Sequence, residues 1–516
     1  MTTEPWWTGA VVYQIYPRSF CDVSGDGVGD LAGIEQHLDH LQWLGVDALW
    51  LSPIFPSPMA DHGYDVADYC DVDPLFGSLA DLDRLVAAAH SRDLRVLLDW
   101  VPNHSSDAHP WFVASRSSRD DPHRDWYIWV DGTPDHPPNG WQRMFPPGPA
   151  WTWDPGSEAW YYHRYTAQQP DLNWANPEVQ VAMHDTLRFW LDRGIDGFRM
   201  DVIHQIGKDP DRWTPAGLAE GDAPNGPTGP SEPERTHELL RGIRKLIDGY
   251  DGDRVAVGEV YILDVEQVAS YLGADAGELH LAFNFVPLFL PWEAEAWRGH
   301  LADAARAFEP RGAWPTWALS SHDIPRQRTR LGSEAKARAA VVLLLGLRGT
   351  PFLYAGEELG LEDAVVPPEL VQDPAGFRDG CRAPIPWDSS SGHGWAGATP
   401  WLPWPPDPGS RNAATLRDDP TSILHLYRRL LTARRNSPAL QHGTQRVLPA
   451  SAPDVLAWER TTPGDRRLIA VNFAPDPRPL SLDTPWTTEV SSTGTDEGRP
   501  FPGTLAPHQA ALLRPT

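Results

Sequence analysis

The sequence predicts an α/β fold: a (β/α)8 barrel of the TIM type, with a subdomain inserted after the third strand and an all-β sandwich at the C-terminus. Three observations predict it. Short apolar runs alternate with helix-period patterns, the order of a parallel sheet. Eight such runs can be counted, the number that closes a barrel. Past about residue 440 the helical period gives way to short strands.

The first strand is Val11–Pro17, followed by a helix with Ile34, Leu38, Leu41 and Leu44 on one face. Ala48–Pro53 is the second strand, and Leu79, Leu82, Leu85, Val86 and Ala89 mark the next helix. Arg95–Val101 is the third. The rhythm then stops: residues 104–174 are polar and rich in Trp, Pro, Asp and His, too long for a βα loop, and read as the inserted subdomain. It resumes with a helix through Val181–Leu191. The remaining strands are Gly197–Val202, Val255–Val260, His280–Phe285, Trp317–Asp323 and Phe352–Gly356. Two long loops, Gly207–Pro233 and Glu357–Pro405, follow the fourth and eighth strands. The barrel thus comprises 1–103 and 175–435. Residues 436–516 form the β domain, with strands Val455–Arg460 and Leu468–Phe473 around a turn at Pro463-Gly464-Asp465.

Composition narrows the partners. Lys+Arg number 43 against 70 Asp+Glu, a formal net charge of −27. Such a surface repels phosphate backbones and anionic lipid, which argues against nucleic acid and membranes. No stretch approaches the roughly 20 apolar residues of a membrane span. The N-terminus has neither a basic segment nor a long apolar core, so a cytoplasmic location is expected. Three cysteines, Cys21, Cys70 and Cys381, are too few and too scattered for a disulfide framework or a zinc site.

Catalytic residues of such barrels sit at the C-terminal ends of strands. Here those ends carry Asp99-Trp-Val-Pro-Asn-His104, Gly197-Phe-Arg-Met-Asp201, Gly258-Glu259 and Ser321-His322-Asp323. Three carboxylates, an arginine and two histidines would converge on one mouth. These four segments, in this order, resemble the signature regions of the α-amylase superfamily, glycoside hydrolase family 13. Gln169–Trp174 and the opening WWTGAVVYQIYPRSF are similar to that family's α-glucosidase and oligo-1,6-glucosidase branch.

The resemblance implies roles. Asp201 would be the nucleophile, Glu259 the general acid/base, and Asp323 would hold two ring hydroxyls in an oxocarbenium-like transition state. Arg199, two residues before Asp201 on the same strand, faces the same way and would keep it ionised. His104 and His322 would bind hydroxyls of the same sugar. Many amylases carry Lys-His where this chain has His204 and Gln205, so no catalytic role falls to His204. Val202, beside the nucleophile, does not decide between α-1,4 and α-1,6 linkages.

His62-Gly-Tyr64-Asp65 and Gly380-Cys-Arg382 resemble the segments that close the pocket. Tyr64 would stack on the sugar, an Asp65–Arg382 pair would wall off the site beyond one glucose, and Phe145 would line the next subsite. The 25 tryptophans serve either sugar stacking or core packing. Asp22, Ser24, Asp26 and Asp30, with the Val28 carbonyl, place oxygens at alternate positions around Gly27. This resembles the structural Ca2+ or Mg2+ site of bacterial oligo-1,6-glucosidases.

The expected function is that of a retaining, exo-acting α-glucosidase acting on short α-1,4 or α-1,6 glucosides. Two alternatives stand beside it. The same residues serve a transglucosidase or isomerase of the sucrose isomerase or trehalose synthase type. A non-catalytic transporter accessory would lack a catalytic carboxylate, whereas both are present here.

Overall fold

The computed structural model describes residues 4–208, 210, 232–397, 399–449 and 452–516. Most of the expected Gly207–Pro233 loop lies outside them.

The strands are β1 (Val12–Ile15), β2 (Ala48–Leu51), β3 (Arg95–Trp100), β4 (Trp129–Asp131), β5 (Trp151–Asp154), β6 (Ala159–Tyr162), β7 (Gly197–Met200), β8 (Val255–Gly258), β9 (Leu281–Ala282), β10 (Thr316–Ala318) and β11 (Thr350–Tyr354). Eight of them form one parallel sheet in the order β10-β11-β1-β2-β3-β7-β8-β9. The sheet closes between β9 and β10 through a side chain. Thr316 Oγ1 donates to the Ala282 carbonyl at 2.8 Å and accepts from Asn284 N at 3.1 Å.

Alternation along the strands builds two cores. Val12, Trp50, Leu97, Val257 and Phe352 fill the barrel interior. Tyr13, Leu49, Leu51, Val96 and Leu98 face outward onto the helices. The helices obey their end signals: Ser78 and Asp81 form a capping box at the start of Leu79–His90. Asn176 caps Pro177–Asp192, which has Pro at its first position.

Three sequence expectations change. The single helix through Ile34–Leu44 is two, Leu31–Gln36 and Leu38–Leu44, broken at His37, whose ring stacks on Trp387 at 3.5 Å. The sixth strand is shorter than His280–Phe285, because the chain turns at Phe285 into the single helical turn Val286–Leu288. The seventh ends at Ala318, and a tight turn with Ser321 bridged to Ile324 carries Asp323 five residues beyond the sheet.

Between β3 and β7 lies a three-stranded antiparallel sheet, β4-β6-β5, with its own core of Ile128, Trp141, Ala150, Trp151, Trp160 and Tyr162. The C-terminal strands are β12 (Thr444–Val447), β13 (Val455–Thr462), β14 (Asp465–Asn472), β15 (Arg478–Pro479), β16 (Trp486–Ser491), β17 (Thr504–Leu505) and β18 (Ala510–Pro515). They form a five-stranded sheet, β12-β13-β14-β18-β16, and a two-stranded one. Its inner face seats against the barrel helix Glu334–Gly346. A Cβ on Gly346 would lie 2.6 Å from Ile469 Cγ1, so the contact needs glycine there.

Behind the barrel mouth, Glu357 and Glu358 follow β11, both buried and without an ion pair among the described residues. Glu358 accepts from the Tyr13 hydroxyl (2.9 Å) and Gly356 N (2.9 Å), and Glu357 from Tyr354 N (3.0 Å). Burial pushes both carboxyls up to about 7. The folded pKa lies above the unfolded one, so their stability contribution is full below the unfolded pKa and is lost as pH rises through 7. Glu357→Gln removes one such titration. Between pH 6 and 8.5 the wild type is expected to lose about 1 kcal/mol more stability than the variant. Urea unfolding at the two pH values measures it, and parallel losses would contradict the assignment.

Candidate active site

Strands β7 and β8 deliver the two central acids. Asp201 directly follows β7, and its N–H donates to the Trp100 carbonyl at 2.8 Å. Glu259 directly follows β8, its N–H donating to the Met200 carbonyl at 2.9 Å. The preceding residue must be small: a Cβ on Gly258 would lie 2.4 Å from Leu279.

Arg199 ties the acids together. Its Nη1 donates to Asp99 Oδ1 and Asp201 Oδ1, both at 2.7 Å, and its Nη2 to Glu259 Oε2 at 2.6 Å. All four side chains are buried. Val202 donates its N–H to the same Glu259 oxygen at 2.9 Å. It does so from φ 35°, a left-handed conformation costly for a β-branched residue.

One guanidinium cannot neutralise three carboxylates. Burial pushes the Asp201 carboxyl above its usual range; Arg199 pulls it down, while the charges of Glu259 and Asp99 push it further up. Asp99 moves the same way, again chiefly through burial. Burial and mutual repulsion thus oppose the charges of Asp201 and Asp99, and Arg199 supports them.

The floor of the pocket is a relay. Gln14 Nε2 lies 2.8 Å from His322 Nδ1, and His322 Nε2 lies 2.7 Å from the Tyr64 hydroxyl, which donates to Asp99 Oδ2 at 3.1 Å. The Tyr64 and His322 rings stack at 5.5 Å and 6°. Burial pulls His322 down to about 3, so it is neutral at physiological pH. Asp323 accepts from Arg378 Nη1 (3.2 Å) and Arg382 Nη2 (3.0 Å). Burial opposes its charge, but His322, where it is charged at low pH, and these guanidiniums at every pH outweigh burial and hold the carboxyl below its usual range.

Arg378 forms a wall. It donates to Asp61 Oδ1 and Asp373 Oδ1, both at 2.7 Å, and its guanidinium lies 4.8 Å from the Phe145 ring centre. Gln169 Nε2 donates to the other Asp61 oxygen at 3.2 Å and lies 3.1 Å from His104 Nε2.

A family model described as "Alpha amylase, catalytic domain" matches residues 14–443. The chain belongs to the α-amylase family. It is a glycoside hydrolase of that family's α-glucosidase branch. A protein named probable α-glucosidase from Rhizobium meliloti (strain 1021) is 44% identical over 473 residues, 85% of this chain and 84% of that one. The solved structure of an α-glucosyl transfer enzyme, XgtA, is 40% identical with a TM-score of 0.88, covering 99% of this chain and all of the other. The trehalulose synthase MutB from Pseudomonas mesoacidophila MX-45 is 33% identical with a TM-score of 0.88 over 99% of this chain and all of the other.

Within this α-amylase-family site, Arg199 bonds the expected Asp201 and Glu259, Tyr64 meets His322 and through it Asp323, His104 meets the Tyr64 carbonyl, and Phe145 lies against Arg378. The expected wall is corrected. Asp65 does not meet Arg382: it accepts from Ser57 Oγ (2.9 Å), Ala60 N (2.8 Å) and Asp61 N (2.9 Å), and so braces its own loop. Arg382 turns to Asp323 and to the His322 carbonyl. The acid–guanidinium pair is Asp61–Arg378, four residues earlier on both segments. Both pairs have the same spacing in the sequence, which gives no sign of which one points inward.

Sequence reasoning also missed Asp99, Gln169 and Lys208 as individual residues. Lys208 is fully buried, its Nζ 2.8 Å from Asp171 Oδ2. Only its neighbourhood to the nucleophile strand could have flagged it.

The Asp22–Asp30 loop packs against Ala396 and Trp401, with Ala396 N donating to the Asp22 carbonyl and Trp401 N to that of Gly27. Asp22 accepts from Gly25 N (2.6 Å) and Gly27 N (2.9 Å), and Asp30 from Val23 N and Ser24 N, both at 3.0 Å. Among the described residues no group of three or more His, Cys, Asp or Glu is arranged to hold a metal ion. No described helix is long and apolar enough to cross a membrane.

Proposed function

We propose that this protein is a retaining, exo-acting α-glucosidase that removes α-linked glucose from the non-reducing ends of short α-1,4 or α-1,6 glucosides. The observation that carries the reading is Arg199 bonded at once to Asp201 and Glu259. A nucleophile and an acid/base separated by about one guanidinium suit the short carboxylate spacing of retaining enzymes, about 5–5.5 Å.

Asp201, its negative charge supported by Arg199, attacks the anomeric carbon while Glu259, acting as general acid, gives a proton to the leaving oxygen. A glucosyl ester forms on Asp201. Glu259, now a base, takes a proton from water, which releases glucose with its α configuration. Asp323, held ionised by Arg378 and Arg382, accepts from two ring hydroxyls; His322 and His104 hold the same sugar. Asp61 and Arg378 close the pocket behind one glucose unit, which selects chain ends, and Phe145 covers the entrance beside them.

A second reading keeps every residue and changes the acceptor. The similarity to an α-glucosyl transfer enzyme and to a trehalulose synthase supports transfer to a sugar in place of water. Proton NMR of maltose, isomaltose, sucrose and trehalose digests separates the two. Early α-glucose from maltose or isomaltose is the expected result. A new disaccharide with little free glucose would replace hydrolysis by isomerisation, and early β-glucose would remove the retaining mechanism.

The Asp22–Asp30 loop, with Ser24, Asp26 and the Val28 carbonyl, is proposed as a structural divalent-cation site on its donor chemistry, five hard oxygens. No catalytic step runs through it. Calcium returned to chelator-treated protein is expected to raise Tm by about 3 °C or more at saturation. An unchanged Tm with Ca2+ and with Mg2+ would remove the proposal.

A further inference from the structure

We propose that Lys208 is a positioning residue that, through Asn103, fixes which ring nitrogen of His104 carries the proton. The Lys208 ammonium has no exposed surface and donates to Asn103 Oδ1 at 2.6 Å. An ammonium only donates, so the Asn103 amide must turn its oxygen toward it. The amide nitrogen then faces the other way. It donates to Asp171 Oδ2 at 3.2 Å and lies 3.1 Å from His104 Nδ1.

His104 Nδ1 must therefore accept and can carry no hydrogen. Burial pulls this imidazole down to about 4, so it is neutral and holds one hydrogen, on Nε2. The Tyr64 carbonyl, 3.2 Å from Nε2, is placed to receive it.

Gln169 opposes this assignment. Its Oε1 accepts from Thr166 N (3.2 Å) and Thr166 Oγ1 (2.9 Å), which turns its amide nitrogen toward His104 Nε2 and asks that nitrogen to accept. Two fixed partners decide between the amides: the buried Lys208 ammonium keeps the Asn103 nitrogen on Nδ1, and the Tyr64 carbonyl, which can only accept, keeps the hydrogen on Nε2. The Asn103 orientation is held by a buried ammonium, a bond roughly twice as strong as a neutral one. Gln169 keeps the Asp61 carboxylate as its own acceptor. His104 Nε2 is consequently a fixed N–H donor, and a sugar hydroxyl reaching it accepts this hydrogen in place of the Tyr64 carbonyl.

The functional half of this inference rests on the reading of His104 as a sugar contact; the proton assignment does not. Neutron crystallography of the wild-type protein without substrate tests the assignment directly. Deuterium on His104 Nε2 and none on Nδ1 is expected, and deuterium on Nδ1 would overturn it. In Lys208→Met the deuterium should redistribute, and kcat/KM on the hydrolysed glucoside should fall by about tenfold, mainly through KM, with partial recovery in Lys208→Arg. A lower Tm with unchanged His104 deuterium and unchanged kcat/KM would make Lys208 merely structural and overturn the proposal. If Lys208→Met does not fold, the wild-type neutron map still decides.

Discussion

Arg199 is the charge on which the site depends. One guanidinium meets three buried carboxylates, which would not tolerate burial without a cation among them. The same guanidinium fixes Asp201 and Glu259 side by side. The barrel supplies the geometry directly, because Arg199 and Asp201 are two residues apart on one strand and Glu259 ends the next.

Around that centre the electrostatics are graded. Asp323 sits against Arg378 and Arg382 and stays ionised, while burial and mutual repulsion oppose the charges of Asp201 and Asp99 and Arg199 supports them. Neutral His322 and His104 then act through hydrogen-bond direction, which is set by the amides of Gln14 and Asn103. Arg378 also pairs with Asp61.

Much of this was legible in the sequence. The eight strands, the inserted segment and the C-terminal sheet follow from periodicity and turn residues, and Arg199, Asp201 and Glu259 follow from their places at strand ends. What was not legible is fixed by tertiary contact. Asp65 and Arg382 have the same sequence spacing as Asp61 and Arg378, and only the packed loops show which pair meets. Asp323 reads as a strand end, yet a turn carries it there. Lys208 looks like a surface lysine after the nucleophile strand; its burial depends on Asp171, across a long stretch of chain.

The central claim is that Asp201 forms the covalent bond within the Arg199 cluster. Trapping tests it most directly. The protein would be incubated with 5-fluoro-α-glucosyl fluoride, whose ring fluorine slows breakdown of the intermediate, then digested and sequenced by mass spectrometry. A single glucosyl adduct on Asp201, absent from Asp201→Asn, is the expected result. An adduct on Glu259 or Asp323, or steady turnover by Asp201→Asn, would contradict the account.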